Sequence, residues 1–289
     1  MSNIANSTGS ENSTSSESAA AAAPNPAAPA IRVGVGGWTF APWRNNFYPA
    51  DLKHDRELEY ASRRLTMIEV NGTYYSTQKP ATFAKWRSEA PEGFVFSLKA
   101  NRFATNRRVL AEAGESVERF CGSGIAELGP KLGPIVWQFA PTKRFDAADF
   151  EAFLQLLPAQ VGGLPLRHVM DVRHESFRSS DYLALACGHG VATVFTESDD
   201  YPSFADVTGG FVYARVMRAS AAQTEGCAPE VLAAVAACAH AWREGREPEA
   251  LPRVEPPQAA GAPRDVFILF IGGDKEKAPA AAMSLIRRL

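Results

Sequence analysis

The sequence lacks most of the features that announce a protein class. Its four cysteines, Cys121, Cys187, Cys227 and Cys238, are scattered, and none forms a CxxC pair. That scatter argues against a disulfide scaffold and a structural zinc site, and it fits a reducing cytoplasm. The longest apolar runs, such as Val266–Ile271, are far too short to span a bilayer, so no membrane association is expected. The N-terminus has no basic start followed by an apolar core and does not read as a signal peptide. No P-loop and no GxSxG turn is present.

A surplus of charge is also missing. The chain has 30 Lys+Arg against 32 Asp+Glu in 289 residues. Residues 1–30 hold two of the acids, Glu11 and Glu17, and no Lys, Arg or aromatic, so residues 31–289 carry 30 of each sign. A neutral body does not grip nucleic acid through bulk charge. Residues 1–30 are mainly Ser, Asn, Ala, Thr and Pro, which cannot bury enough apolar surface to offset their ordering entropy; they are expected to be a disordered tail.

What is present is a regular alternation. β-rich runs occur at Ile31–Gly36, Met67–Asn71, Phe94–Lys99, Ile135–Phe139, His168–Arg173, Ala192–Thr196, Phe211–Val216 and Val266–Ile271. Turn chemistry flanks them, as at Gly36-Gly37, Pro91-Glu92-Gly93, Lys131-Leu132-Gly133-Pro134 and Gly209-Gly210. Helical stretches lie between: Asp55–Arg64, Pro80–Ala90, Ser116–Leu128 with Ser116 as its cap, Asp146–Leu157, Ser180–Cys187, Pro229–Arg243 and Pro279–Arg288. Gly122-Ser123-Gly124 falls inside the third of these. Glu197–Thr208 reads as a loop or short helix, and the Pro-rich Gly245–Arg264 as a surface loop.

Strands alternating with helices imply βαβ units and a parallel sheet. Eight such units in about 250 residues match a closed (β/α)8 TIM barrel. A doubly wound open sheet would place a GxGxxG turn after its first strand, whereas Gly34-Val35-Gly36-Gly37-Trp38 lacks that spacing. The expected fold is therefore α/β, a single barrel domain over residues 31–289.

Barrel enzymes place chemistry at the C-terminal ends of their strands. Those ends carry Trp38, Glu69, Asn71, Tyr74, Lys99, Gln138, Asp171, Arg173, His174, Tyr213 and Arg215. Glu69 with Asn71, Ser97 with Lys99, Asp171 with Arg173 and Tyr213 with Arg215 are each two apart, so each pair shares a strand face. Pointing inward, they would bring two carboxylates and three cations together. Buried charges need mutual pairing or a polar ligand. The set therefore reads as a mouth for an anionic substrate or as a structural ion-pair layer. Glu69, Lys99 and Asp171 are the candidate catalytic groups. Glu69 would move a proton, Asp171 would orient it or act as a second carboxylate, and Lys99 would stabilise negative charge or pair with Glu69. Trp38, Asn71, Tyr74, Gln138, Arg173, His174, Tyr213 and Arg215 are candidates for holding substrate. The aromatics Trp38, Trp43, Phe47 and Tyr48, with Tyr74 and Tyr75, would either stack on substrate or plug the top of the core. A lone strand-end His such as His174 is more often structural than catalytic. The sparse carboxylates, diluted by Arg and Lys, make a metal site unexpected.

Gly36-Gly37-Trp38, Trp43 and Phe47-Tyr48-Pro49 resemble the opening signature of the YecE-like family, the domain of unknown function seventy-two. So do Ile68-Glu69-Val70-Asn71-Gly72-Thr73-Tyr74-Tyr75 with Trp86, Phe94–Lys99, Lys131-Leu132-Gly133, Gln138-Phe139-Ala140-Pro141, Arg173-His174-Glu175-Ser176-Phe177 and Tyr213-Ala214-Arg215. The resemblance spans Ile31–Leu289. It implies a (β/α)8 barrel and carries no activity with it. Three positions depart from the commoner pattern: Thr105-Asn106 where many relatives have Thr-His, Arg215-Val216-Met217-Arg218 where many have Arg-Leu-His-Gly, and Asp171 in place of a Glu.

The expected function is acid–base chemistry, hydrolase- or isomerase-like, on a small anionic sugar-like or nucleotide-like molecule, with no cofactor. A phosphodiester enzyme or binder is a second reading, which would add Arg102, Arg107 and Arg108, although the neutral total disfavours it. A non-catalytic ligand-binding barrel is the third. No feature of the sequence sets an oligomeric state.

Overall fold

In the computed structural model, which describes Met1 and residues 29–289, eight strands close into a parallel barrel. They are β1 Ile31–Gly36, β2 Met67–Val70, β3 Val95–Lys99, β4 Leu132–Gln138, β5 His168–Asp171, β6 Ala192–Glu197, β7 Phe211–Val216 and β8 Asp265–Phe270. Each pairs with its sequence neighbours, and β1 pairs with β8 to close the ring, with Val35 opposite Phe270. The expected disordered tail lies almost wholly outside the described residues.

Strands buried on both faces read as near-continuous apolar runs, and β2, β7 and β8 do so. The period of two then sorts residues into two cores. Met67, Val95, Val136, Val169, Val194, Phe211, Tyr213, Phe267 and Leu269 fill the barrel interior. Their alternates, such as Ile68, Phe96, Trp137, Met170, Phe195, Val212 and Ile268, face the helices. Continuing the inward parity toward the C-terminal ends gives Glu69, Ser97, Lys99, Gln138, Asp171 and Arg215.

Two local readings of the sequence are overturned. Lys131-Leu132-Gly133-Pro134 is not a turn: β4 starts at Leu132, three residues earlier than expected. Gly133 sits where a Cβ would meet Val95 Cγ1 at 2.3 Å and Phe96 O at 2.9 Å, so its lack of a side chain allows the close approach of β4 to β3. Lys131 is buried because its Nζ donates to Arg87 O and Ala90 O, capping the helix Pro80–Glu89. The expected helix Ser116–Leu128 is two pieces, Gly114–Cys121 and a 3-10 stretch Ile125–Lys131. Gly122-Ser123-Gly124 breaks it, with Gly124 at φ +105° packed on Pro80. Ser116 is therefore inside the first piece, not its cap; its Oγ accepts from Arg107 Nη2 at 3.1 Å.

After β6 there is no regular helix before β7. Loop residues 198–208 are fastened to loop 245–264 instead. Asp206 accepts from Val254 N and Glu255 N, both at 2.9 Å, and Ala205 N donates to Pro252 O at 2.8 Å. Loop 245–264 is thus a fixed cover on the side of the barrel. The four cysteines are free thiols. Among the described residues no helix is long and apolar enough to cross a membrane.

Candidate active site at the barrel mouth

Strand parity delivers the charged side chains to one place. Arg215 on β7 reaches across the interior with both Nη atoms: Nη2 donates to Glu69 Oε2 at 2.6 Å, and Nη1 donates to Asp171 Oδ2. Arg173 forks onto both oxygens of Asp171, through Nε to Oδ1 at 3.3 Å and Nη2 to Oδ2 at 3.0 Å, so Oδ2 is shared with Arg215, and Nη2 also reaches Gln138 Oε1 at 2.8 Å. Tyr213 Oη donates to Glu69 Oε2 at 2.7 Å and lies 2.9 Å from Ser97 Oγ, which is itself 2.8 Å from Pro134 O. Glu69 Oε1 accepts no hydrogen bond among the described residues.

Burial sets the electrostatics. Glu69 and Asp171 are 1% exposed and Arg215 2%. Burial alone would raise Glu69, but Arg215 and Lys99 outweigh it and hold the carboxyl below the ordinary glutamate value. Asp171 behaves alike: burial opposes ionisation, and Arg215 and Arg173 more than restore it. Tyr213 is pushed up by burial and by Glu69, so it stays a protonated donor. At neutral pH Glu69 is therefore a carboxylate with one oxygen fully engaged and the other free to accept a proton.

Lys99 is the odd member. It makes no ion pair and no side-chain hydrogen bond among the described residues, and its Nζ lies 4.9 Å above the Tyr74 ring. Burial lowers its proton affinity, with Glu69 working in the opposite direction. Two carboxylates face three cations, so the mouth carries one positive charge more than its side chains neutralise.

The remaining candidates divide. Gln138 joins the network through Arg173, and Tyr74 accepts from Asn106 Nδ2 at 3.2 Å beneath Lys99. Asn71 lies over Gly36, its Nδ2 3.0 Å from where a Cβ would be. Tyr213 and Arg215 are buried with the carboxylates, which they bridge and position. His174 does not join the cluster. Its Nδ1 accepts from Ser176 N at 3.1 Å at the start of the turn Glu175–Phe177, a structural cap. The aromatic segment after β1 is a plug: Trp43, Phe47 and Tyr48 are buried, and Trp43 Nε1 donates to Lys275 O at 2.9 Å. Trp38 packs edge-on against Trp86 at 5.2 Å, with its carbonyl accepting from Tyr48 Oη at 2.6 Å.

Sequence reasoning missed two members. Tyr201, from the loop after β6, lies beneath the Arg173 guanidinium at 4.6 Å. Ser97 was visible only as a face-mate of Lys99; its contact with Tyr213 spans 116 residues. Among the described residues no group of three His, Cys, Asp or Glu side chains is arranged to hold a metal ion.

The family model described as "Protein of unknown function DUF72" matches residues 32–289. The chain belongs to that family. This DUF72 chain is similar in fold to a DUF72 family protein of Thermotoga maritima, at TM-score 0.66 and 18% identity, covering 89% of this chain and 98% of the other. A DUF72 family protein of Enterococcus faecalis matches at TM-score 0.59 and 15% identity, covering 90% and 98%. Among curated proteins, the UPF0759 protein YunF of Bacillus subtilis is 25% identical over 158 residues, 53% of this chain. That match spans 54% of YunF, about half its length. These likenesses establish family and fold and carry no reaction with them.

Proposed function

We propose that this DUF72 barrel is an enzyme that performs acid–base chemistry on a small anionic molecule, sugar-like or nucleotide-like, at the mouth. The reading rests on the excess cation: Lys99 is left without a carboxylate while every other charge of the cluster is paired. Lys99 is half-buried, and a closed structural layer would balance such a partly desolvated charge, because leaving it unpaired is costly. A substrate carboxylate or phosphate supplies the missing negative charge, received by Lys99 and by the solvent-facing edge of Arg173.

Glu69 is the general base. Tyr213 and Arg215 fix Oε2 and leave Oε1 to accept a proton from the substrate, a geometry preorganised before substrate arrives. Asp171 orients Arg173 and shares Arg215, and Lys99 stabilises negative charge that develops as the proton leaves.

The test is a thermal-shift screen against phosphometabolites and sugar acids, with and without divalent metals, followed by turnover assays on the hits. A ligand at 100 times its Kd stabilises the native state by about 2.7 kcal/mol. Such a hit is expected to stabilise wild type and Glu69→Gln but not Lys99→Met, and Glu69→Gln is expected to lose turnover. Equal stabilisation of Lys99→Met would remove the anion site. Full turnover by Glu69→Gln would remove the base.

A further inference from the structure

Between the loops that follow β2, β3 and β4 the rim carries two adjoining clefts that the mouth chemistry does not use. One, of about 580 Å3, is lined by Thr105, Asn106, Arg107, Arg108, Lys143 and Arg144 among others, four cations and no acid. The other, of about 420 Å3, shares Arg107 and opens onto Tyr75 and Phe103. These two rings are 65% and 60% exposed, the most exposed large apolar side chains of residues 29–289. The Arg102 guanidinium lies near both, 6.0 Å from the Tyr75 ring centre and 5.5 Å from that of Phe103.

The cations are not equivalent. Arg107 spends its donors on Phe103 O, Glu112 O and Ser116 Oγ, and Lys143 is paired with Asp149 at 2.8 Å. Arg102, Arg108 and Arg144 are exposed and make no ion pair or side-chain hydrogen bond among the described residues. Against them, Thr105 is 1% exposed, yet its Oγ1 has no hydrogen-bond partner while its residue lines the cationic cleft. Beneath a cleft that Arg108 and Arg144 also line, this buried hydroxyl is a donor without an acceptor. The rim is also continuous with the mouth. Tyr75 packs on Tyr74 at 5.1 Å, Asn106 donates to Tyr74 Oη, and Lys99 lies over the same ring.

We propose that this rim binds a single-stranded phosphodiester chain, with bases stacked on Tyr75 and Phe103 and phosphates held by Arg102, Arg108 and Arg144. Exposed rings flanking a guanidinium suit the flat faces of unpaired bases, which a duplex keeps covered and an acidic peptide does not have. With no bulk positive charge, binding here would depend on these local cations. The inference rests on the mouth reading only in taking Lys99 as the end of the track.

Fluorescence anisotropy on the full chain tests it, using labelled twelve-nucleotide dT and U single strands, a duplex of the same length, and polyglutamate as competitor. Three phosphate contacts give a slope of log affinity against log salt of about −2, so a tenfold rise in salt weakens binding about a hundredfold. Arg108→Glu/Arg144→Glu is expected to weaken single-strand binding at least tenfold and bring the slope toward about −0.7. Phe103→Ala is expected to weaken binding by about tenfold without changing the slope. A preference between dT and U identifies DNA or RNA as the source of the phosphodiester chain. No binding by wild type at low salt, unchanged binding in the arginine variant, equal affinity for duplex, or displacement by polyglutamate as effective as by unlabelled single strand would each overturn the proposal. Glu69→Gln, which removes the base, is expected to retain single-strand binding, so rim and mouth fail separately.

Discussion

The two ends of the barrel use the same chemistry in opposite settings. At the N-terminal end Asp265 gathers Ala30 N at 2.9 Å, Arg32 Nη1 at 3.4 Å and Arg167 Nη1 at 2.8 Å, and Arg167 lies over the rings of Phe267 and Phe211. These three charged side chains keep 22–33% of their surface exposed. At the C-terminal end Arg215, Glu69 and Asp171 keep about 2% or less. The floor ties the starts of β1, β5 and β8 together under solvent screening, where ion pairs contribute little. The mouth has given up its hydration, so each charge depends on its partner. Exposure, more than residue type, separates a surface fastening from a buried charge network.

The sharpest way to break that contrast is to remove Arg215. Arg215→Met leaves two buried carboxylates without their shared cation and is expected to destabilise by about 3–5 kcal/mol in urea titrations at neutral pH. Adding Glu69→Gln and Asp171→Asn to it removes the stranded charges and is expected to recover much of the loss. A single variant within 1 kcal/mol of wild type would place the mouth with the floor.

The pH dependence sharpens the same point. Glu69 and Asp171 have native values held below their unfolded ones, so they stabilise the fold above the ordinary carboxylate range of about 4. That contribution is lost as pH falls through the lowered native values. Urea midpoints from pH 7 to 2 should show a steep acid limb in wild type and a flatter one in Glu69→Gln/Asp171→Asn. In Arg215→Met the acid limb should flatten, because Glu69 loses its hydrogen-bonded cation and burial then opposes its ionisation, while Arg173 still holds Asp171.

At the floor, Arg167→Met is expected to cost about 1 kcal/mol, less at high salt. A loss as large as that of Arg215→Met would erase the distinction. The smallest effect on stability is expected at Lys99. Burial lowers its native value below the unfolded one, so the protonated group opposes folding at neutral pH, and the opposition fades as pH rises toward 10. Lys99→Met should melt at or above the wild-type temperature at pH 7, with the difference shrinking at pH 10. A clear loss of stability would mean that Lys99 is a structural partner, not a group held ready for an anion.

Local rules carried the sequence reading a long way. β1 and β7 have the expected bounds, and six other strands lie within a few residues of theirs. Asp171 with Arg173, and Tyr213 with Arg215, were recognisable as face-mates because alternation is a property of a strand alone. What stayed open or was misread has a common source. His174 stood as a substrate-holding candidate and, more often for a lone strand-end His, as a structural group; its partner Ser176 is set by a turn that hydrophobic pattern does not describe. The aromatics after β1 could stack or plug, and only their burial against Tyr60 and Lys275 chose the plug. Gly133 read as turn punctuation because nothing local reports that β3 passes within a Cβ's reach.

Eight apolar runs, their turns and their two-residue period determined the barrel, since burial on both faces of a parallel strand leaves a signature along the chain. The pairing of charges is another matter. Arg215 meets Glu69 across 146 residues and Asp171 across 44, and Lys99 is left over. Which cation stays unpaired depends on reach, tilt and desolvation inside the closed ring, quantities that exist only once the eight strands have met.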